Sequence, residues 1–142
     1  MAWIEEELDL SQINALAQGM VKHMGIVFTA VDDEGLTASM PVEESSHQPF
    51  GILHGGATAT LAETVGSFAS YALVHKQGKH TVGMEVTAQH LRSVKAGHIH
   101  AKALPVHIGR KVHVWDIRVK DDAERLIALC KLTVMVIDAD GQ

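Results

Sequence analysis

The longest regular pattern of hydrophobic positions runs from residue 55 to residue 75. Apolar side chains recur there with a helical period and cover most of the circumference of the predicted helix. A helix that is apolar on nearly every side is buried, so the segment predicts a long central helix. What remains is a narrow polar stripe made of Thr60, Glu63, Ser67 and Ser70.

The segments on either side supply the other predicted elements. An amphipathic helix is expected over residues 9–24, ending at Gly25. Alternating apolar and polar positions predict strands over residues 26–31, 36–42, 81–94, 98–106, 111–120 and 126–137. The turns between the last four strands are too short for crossover helices, so these strands should pair antiparallel. The order predicts an α+β fold in which a twisted antiparallel sheet wraps round the central helix.

Composition narrows the class of protein and its partners. The chain has 142 residues, 46% hydrophobic and 20% charged, and we expect one domain over residues 1–142. A net charge of -5 disfavours non-specific binding to nucleic acid. The acidic start lacks the features of a signal peptide, and no run of about 18 apolar residues predicts a membrane span. Cys130 is the only cysteine, so we expect no internal disulfide and a cytoplasmic location without membrane attachment.

The start of the central helix carries residues suited to acyl chemistry. His54, Gly55 and Gly56 stand where backbone N–H groups are unpaired and the helix dipole is positive. Such a site can polarise a carbonyl group while a carboxylate attacks it or activates a water molecule. Gln48 lies upstream, in a loop that Pro49 stiffens. The glycines can also serve only as a tight entry into the helix.

Glu63 is the candidate carboxylate. Its neighbours on the helix are mostly apolar, and a lone carboxylate among them is costly unless it lines a cavity or meets a partner. Ser67 follows one helical turn later, so the two side chains are neighbours. The alternatives are a solvated glutamate and a serine hydroxyl bonded to its own helix backbone.

Other kinds of chemistry find less support. His98 and His100 share one face of a predicted strand, but no third metal ligand has a suitable spacing. Glycine-rich nucleotide motifs and a nucleophile elbow are missing, so hydride and phosphoryl transfer are not predicted. Arg92, Arg110 and Lys111 flank strand turns, where they could meet the phosphates of a ligand or be solvated charges.

Two motifs at the central helix resemble those of a known family. Residues 48–57, Gln-Pro-Phe-Gly-Ile-Leu-His-Gly-Gly-Ala, and 61–67, Leu-Ala-Glu-Thr-Val-Gly-Ser, look like the hotdog-fold acyl-CoA thioesterases that use a glutamate. The chain is most similar to the branch holding the 1,4-dihydroxy-2-naphthoyl-CoA thioesterase of menaquinone synthesis and the proofreading thioesterase of enterobactin synthesis. The likeness spans almost the whole chain, with shorter matches at 82–85, 90–93 and 107–110.

The resemblance implies an architecture and an assembly. The fold would be the hotdog fold, a curved antiparallel sheet wrapped round one long helix. Members of the family form homodimers or homotetramers with the active site between two subunits. Glu63 would then come from one chain, and the other chain would supply Gln48, His54 and Gly55.

The resemblance also implies roles for individual residues. Glu63 matches the carboxylate that acts as nucleophile or general base, and the N–H of Gly55 matches the group that polarises the carbonyl oxygen. His54 and Gln48 match side chains that position the thioester, and Ser67 matches a hydroxyl near the carboxylate. Further matches to substrate contacts are His90, Arg92 and Ser93 for the coenzyme A arm, and Phe68 for the acyl group.

The implied reaction is hydrolysis of an aromatic or related acyl-CoA to the free acid and coenzyme A. Coenzyme A is part of the substrate, and the resemblance implies neither a metal nor a redox cofactor. Within the branch, 1,4-dihydroxy-2-naphthoyl-CoA is one candidate substrate and an aryl group on an acyl carrier protein is another. A non-catalytic acyl-CoA-binding module and a hydratase of acyl thioesters are alternatives from other functional classes.

Overall fold

The computed structural model describes residues 2–140, so the predicted domain limits at 1 and 142 lie outside it. Two short 3₁₀ turns, Glu44–Ser46 and His75–Gln77, flank the long helix. In the described part of the chain, no helix is long and apolar enough to cross a membrane. The helices are α1 (Leu10–Leu16), α2 (Met20–His23) and α3 (Gly55–Val74), and the strands are β1 (Val27–Val31), β2 (Leu36–Pro41), β3 (Lys79–His90), β4 (His98–Ile108), β5 (Val112–Asp121) and β6 (Leu126–Asp138).

The strands form one antiparallel sheet of six, in the order β1-β2-β4-β5-β6-β3. α3 contacts every strand from β2 to β6. Five strands about 4.8 Å apart span more than the width of one helix, about 10 Å, so the sheet has to curve round α3 to reach it. This arrangement confirms the predicted α+β fold and leaves β1 and β3 as the two edge strands.

The core lies between α3 and the concave face of the sheet. Leu61, Val65 and Ala69 of α3 are fully buried, as are alternate residues of the strands beneath them. Gly66 allows α3 to approach β6 closely, because a Cβ atom at this position would lie 2.5 Å from the Cδ2 atom of Leu132 in β6. The apolar circumference that predicted α3 is therefore explained by contacts with a sheet that curves round it.

The single helix predicted over residues 9–24 is wrong, since the structure has two short helices there. Asp9 caps α1 by accepting a hydrogen bond from the Ser11 N–H at 2.9 Å. The break follows at Ala17, whose backbone is extended, and at Gly19, whose φ of 62° is unfavourable for other residues. Asn14 exchanges hydrogen bonds with the backbone of Phe28 at 2.8 and 3.0 Å and so ties α1 to β1.

The end of β3 also differs from the prediction, because the strand stops at His90 rather than at residue 94. The N–H of Leu91 turns to the carbonyl of Ile127 at 2.8 Å. The carbonyl of Val94 then accepts from the N–H of Leu53 at 2.7 Å, in the loop before α3. These bonds carry residues 91–94 away from the sheet edge and toward the start of α3.

A buried polar cluster joins α3 to β5. The Ser70 hydroxyl lies 2.7 Å from Nε1 of Trp115 and 2.9 Å from Nδ1 of His113. An indole N–H can only donate, so the serine oxygen accepts from Trp115, and the Ser70 hydroxyl also shares a hydrogen bond with Nδ1 of His113. Burial disfavours the charged imidazolium and so lowers the pKa of the His113 side chain.

This cluster should make the free energy of unfolding depend on pH. Below about pH 6.5 His113 binds a proton in the unfolded chain but stays neutral to lower pH in the folded protein. Because the unfolded state then binds more protons, the free energy of unfolding falls as the pH falls. We expect His113→Asn to destabilise the protein most near pH 8 and progressively less toward about pH 5. Urea unfolding of both proteins across this range measures the difference, and a difference that stays constant with pH would contradict the expectation.

Candidate functional site

The loop before α3 is a compact turn held by its own backbone. The Gln48 N–H donates to the Ile52 carbonyl at 2.8 Å, and the Gly51 N–H donates to the Gln48 carbonyl at 3.1 Å. Gly51 has a φ of 79°, which the turn requires. The side-chain oxygen of Gln48 accepts from the N–H of Phe50. The amide NH₂ of Gln48 donates to no described residue and is free to donate to a ligand.

His54 caps α3 and accepts hydrogen bonds from all but one of the backbone N–H groups in the first turn of the helix. Its Nδ1 atom accepts from the Gly56 N–H at 2.7 Å, which places the ring proton on Nε2. Its carbonyl accepts from Ala57 and Thr58 at 3.0 and 3.3 Å. In the described residues the N–H of Gly55 has no such partner. One amide therefore stands free at the positive end of the helix.

The ring of His90 packs directly on Gly55. A Cβ atom at Gly55 would lie 2.8 Å from Nε2 of His90, so a glycine is required for this contact. The last residue of β3 thus meets the first residue of α3. Residues 91–94 bend toward the loop before α3, so the space in front of Gly55 is bordered by that loop, by the end of β3 and by these residues.

A cavity of about 400 Å³ opens at this point, and we call it the helix-start cavity. It brings together five of the residues that the sequence analysis singled out. Apolar side chains of residues 52, 53, 91, 94 and 127 close its walls. Its polar lining consists of Gln48, Gly55, Thr58, His90, Arg92 and Ser93.

The structure does not place His54 in the helix-start cavity. Its side chain lines a smaller cavity of about 320 Å³ together with Gly56, Thr60 and His47. Arg110 and Lys111 are also remote, since they lie in the turn between β4 and β5. Arg92 is the basic side chain, among the three that the sequence suggested, that lines the helix-start cavity.

Glu63 lies two turns along α3 and is exposed, although most of the helix is buried. Its side chain rests on the edge strand, because a Cβ atom at Gly83 would be 3.2 Å from its Cδ atom and 3.3 Å from Oε2. Across residues 2–140, no hydrogen bond or ion pair engages this carboxylate. The β3–β6 register shifts between Gly83 and Glu85, which leaves Met84 as an extra residue of the strand.

A second cavity, of about 460 Å³, lies between α3 and the start of β3, and we call it the β3 cleft. Ser67 and Phe68, two of the residues that the sequence analysis singled out, line it. Tyr71 falls one turn after Ser67 on the same face, so the helical period contained a signal for it. The remaining lining residues, which depend on tertiary packing and were missed, are Leu16, His80, Thr81 and Val82.

The candidate residues of one chain thus form two separate groups. Glu63 follows Gly55 by eight residues, which is about 12 Å along a helix axis. Reacting atoms have to approach to roughly 3 Å, so one thioester carbon cannot meet the carboxylate while its oxygen meets the Gly55 amide of the same chain. Each group nevertheless borders β3, at Gly83 and at His90.

No group of three or more metal-ligating side chains is placed to hold a metal ion within the described residues. His98 and His100 do lie side by side, with ring centroids 6.4 Å apart. His100 is paired instead with the carboxylate of Asp122, at 2.8 Å. This pair holds the pKa of Asp122 below its ordinary value.

The curved sheet round one helix, with a free amide at the helix start and a carboxylate on the same helix, defines a class of hotdog-fold enzymes that act on thioesters. A family model described as the thioesterase superfamily matches residues 50–128, more than half of the chain. The chain therefore belongs to the thioesterase superfamily.

Individual relatives agree with this family. The proofreading thioesterase EntH of Klebsiella pneumoniae is 43% identical over 138 residues, which cover 96% of this chain and 99% of the relative. A mutant of thioesterase PA1618 from Pseudomonas aeruginosa superposes with a TM-score of 0.90 at 46% identity, covering 94% of this chain and 96% of that one. Thioesterase HI1161 from Haemophilus influenzae gives a TM-score of 0.91 at 37% identity, covering 100% and 99%. The chain is accordingly a thioester hydrolase.

Proposed function

We propose that the enzyme hydrolyses aromatic acyl thioesters in a site assembled from two copies of the chain. The observation that carries the proposal is the separation, by about 12 Å on one helix, of a free amide from an exposed carboxylate. A second copy brings the Glu63 carboxylate of one chain to the Gly55 amide of the other. The resulting homodimer has two such sites, and pairing of dimers would give a homotetramer.

The edge strand β3 supplies the surface for this pairing. It is 12 residues long, and its outer edge faces no other strand in the described chain. Val82 and Met84 on it are 48% and 54% exposed. A long, partly apolar edge is a ready template for another strand, and a second copy related by two-fold symmetry pairs with it antiparallel.

The register of this pairing follows from the site. Gly83 touches Glu63 and His90 touches Gly55, and both residues face α3, so Gly83 of one copy should lie opposite His90 of the other. The extra residue at Met84 brings Gly83 and His90 to equal distances from Thr87. The two-fold axis then passes beside Thr87, which faces its own counterpart.

The chemistry of the assembled site follows from its charges. The N–H of Gly55, at the positive helix end, donates to the thioester oxygen as negative charge develops there. Glu63 either attacks the acyl carbon, giving an anhydride that water hydrolyses, or takes a proton from the attacking water. The C–S bond breaks, and the thiolate leaves and is protonated. Gln48 orients the thioester from the helix-start cavity, His54 acts from outside that cavity by capping the helix start at Gly56, and Ser67 supports the carboxylate.

The two cavities suggest how the substrate is divided between the subunits. The helix-start cavity combines apolar walls with several polar groups and Arg92, which suits a thiol arm with amides and, farther out, phosphates. The β3 cleft presents Phe68 and Tyr71, which suit a flat aromatic acyl group. The reaction so described uses no cofactor, and coenzyme A is part of the substrate.

Two thiol carriers fit this division. Coenzyme A is the first, and 1,4-dihydroxy-2-naphthoyl-CoA of menaquinone synthesis is its most specific candidate. The second is the arm of an acyl carrier protein bearing an aryl group. A relative named as a proofreading thioesterase, 43% identical over 96% of this chain, supports the second candidate.

Thiol release from a panel of thioesters tests the proposed reaction. The panel holds 1,4-dihydroxy-2-naphthoyl-CoA, benzoyl-CoA, hexanoyl-CoA and an aryl-loaded carrier protein. We expect the aryl thioesters to react fastest, and Glu63→Ala to lower kcat/KM about 1000-fold because the carboxylate acts in the chemical step. Glu7→Ala removes another exposed glutamate and should change nothing. Release unaffected by the loss of Glu63, or none from any thioester, would refute the proposal.

A cysteine placed at the two-fold axis tests the proposed pairing. Facing residues of antiparallel strands have Cα atoms about 4.5–5.5 Å apart, within the range of a disulfide. Thr87→Cys should therefore form covalent dimers on mild oxidation, seen by non-reducing electrophoresis. Thr29→Cys, on the opposite edge strand, is the matched control and should stay monomeric on the gel. Cys130 does not interfere, because burial raises the pKa of its thiol to about 11. Equal crosslinking of both variants, or of neither, would count against this register.

A further inference from the structure

Thr58 differs from the other threonines of α3. Thr60 and Thr64 each donate the side-chain hydroxyl to a carbonyl one turn earlier, at 2.9 and 2.6 Å. The corresponding carbonyl for Thr58 belongs to His54 and already accepts two backbone N–H groups. The Thr58 side chain makes no hydrogen bond to any residue from 2 to 140, although only 2% of the residue is exposed.

The small exposed part of Thr58 faces the helix-start cavity, whose lining includes it. Every side-chain nitrogen or oxygen of the described residues that is closed to solvent has a partner, so the unbonded Thr58 hydroxyl is open to the cavity. A ligand that displaces solvent from this hydroxyl has to bond to it or leave it unpaired at a cost in free energy. Gln48 and His90 line the same space, so a polar ligand group is expected there.

The position of Thr58 on the helix indicates which ligand group it meets. It follows Gly55 by three residues, which places it about 4.5 Å farther along the axis on nearly the same face. If the Gly55 amide holds the thioester oxygen, the hydroxyl lies too far away to share that oxygen. In an extended cysteamine-type arm the first amide nitrogen is about 5 Å from the acyl carbon, at ordinary bond lengths.

We infer that the Thr58 hydroxyl accepts a hydrogen bond from the amide N–H nearest the sulfur in the thiol arm of the substrate. The inference rests on the proposed function. It makes Thr58 a residue that recognises the thiol part of the substrate and not the acyl group. Coenzyme A and the arm of a carrier protein share this amide, whereas simple alkyl thioesters lack it. Thr58 thereby favours substrates carried on either arm over other thioesters.

Two benzoyl thioesters test this contact. S-benzoyl-N-acetylcysteamine contains the amide, and the benzoyl thioester of a simple alkanethiol of similar length lacks it. Thr58→Val keeps the shape of the side chain and removes the hydroxyl. We expect it to lower kcat/KM about 3- to 10-fold on the amide substrate, the size of one neutral hydrogen bond, and to leave the alkyl substrate unchanged. Thr58→Ser keeps a hydroxyl at this position, so we expect it to retain the wild-type preference for the amide substrate over the alkyl substrate.

Thr64→Val is the matched control, since it removes a similarly buried hydroxyl from the same helix outside the cavity. Repeating the comparison with benzoyl-CoA and a benzoyl-loaded carrier protein shows which carrier depends on Thr58. Equal loss on both small substrates, or no loss on either, would overturn the inference while leaving the proposed function intact. A wild-type enzyme that releases thiol from neither small substrate, from benzoyl-CoA nor from the carrier protein would instead refute the proposed function.

Discussion

The packing of five strands round α3 is the constraint on which the other features depend. Because the sheet curves to reach the helix, α3 is buried on most sides and cannot shift or rotate without disrupting the core. Gly66 brings it close to β6, and Ser70 fixes it to β5 through two hydrogen bonds. The helix therefore holds Gly55 and Glu63 at a constant separation, which is too long for a single thioester carbonyl.

This separation connects the fold with the proposed assembly. β3 is the strand that touches both groups, at Gly83 and at His90, and it is also an edge strand. A strand at the edge of the sheet can join a second sheet, so the same element positions both halves of the site and offers the surface that would unite them. The irregularity at Met84 sets which residues of β3 face the helix, and hence which register is compatible with a complete site.

Much of this could be predicted from the sequence because the signals were local. The apolar circumference of residues 55–75 identified α3, and alternation identified every strand to within a few residues. The helix over 9–24 failed because the chain is extended at Ala17 and has a positive φ at Gly19, an interruption that the hydrophobic period does not record. Leu16 and His80 of the β3 cleft were missed because only tertiary packing brings them there. Thr58 was missed because its distinguishing property, an unbonded hydroxyl at the wall of a cavity, exists only in three dimensions.

Subunit complementation tests most directly the central claim that each site needs two chains. Glu63→Ala removes the carboxylate. Gly55→Pro removes the amide at the first position of the helix and also displaces the ring of His90, which belongs to the same half of the site, so only that half is disabled. Each variant alone should be nearly inactive. If equal amounts of the two are unfolded and refolded together, half of the dimers should be mixed, and each mixed dimer has one intact site. The account predicts about one quarter of wild-type activity in the mixture. Activity that stays at the sum of the two separate variants would place both groups in one chain and contradict it.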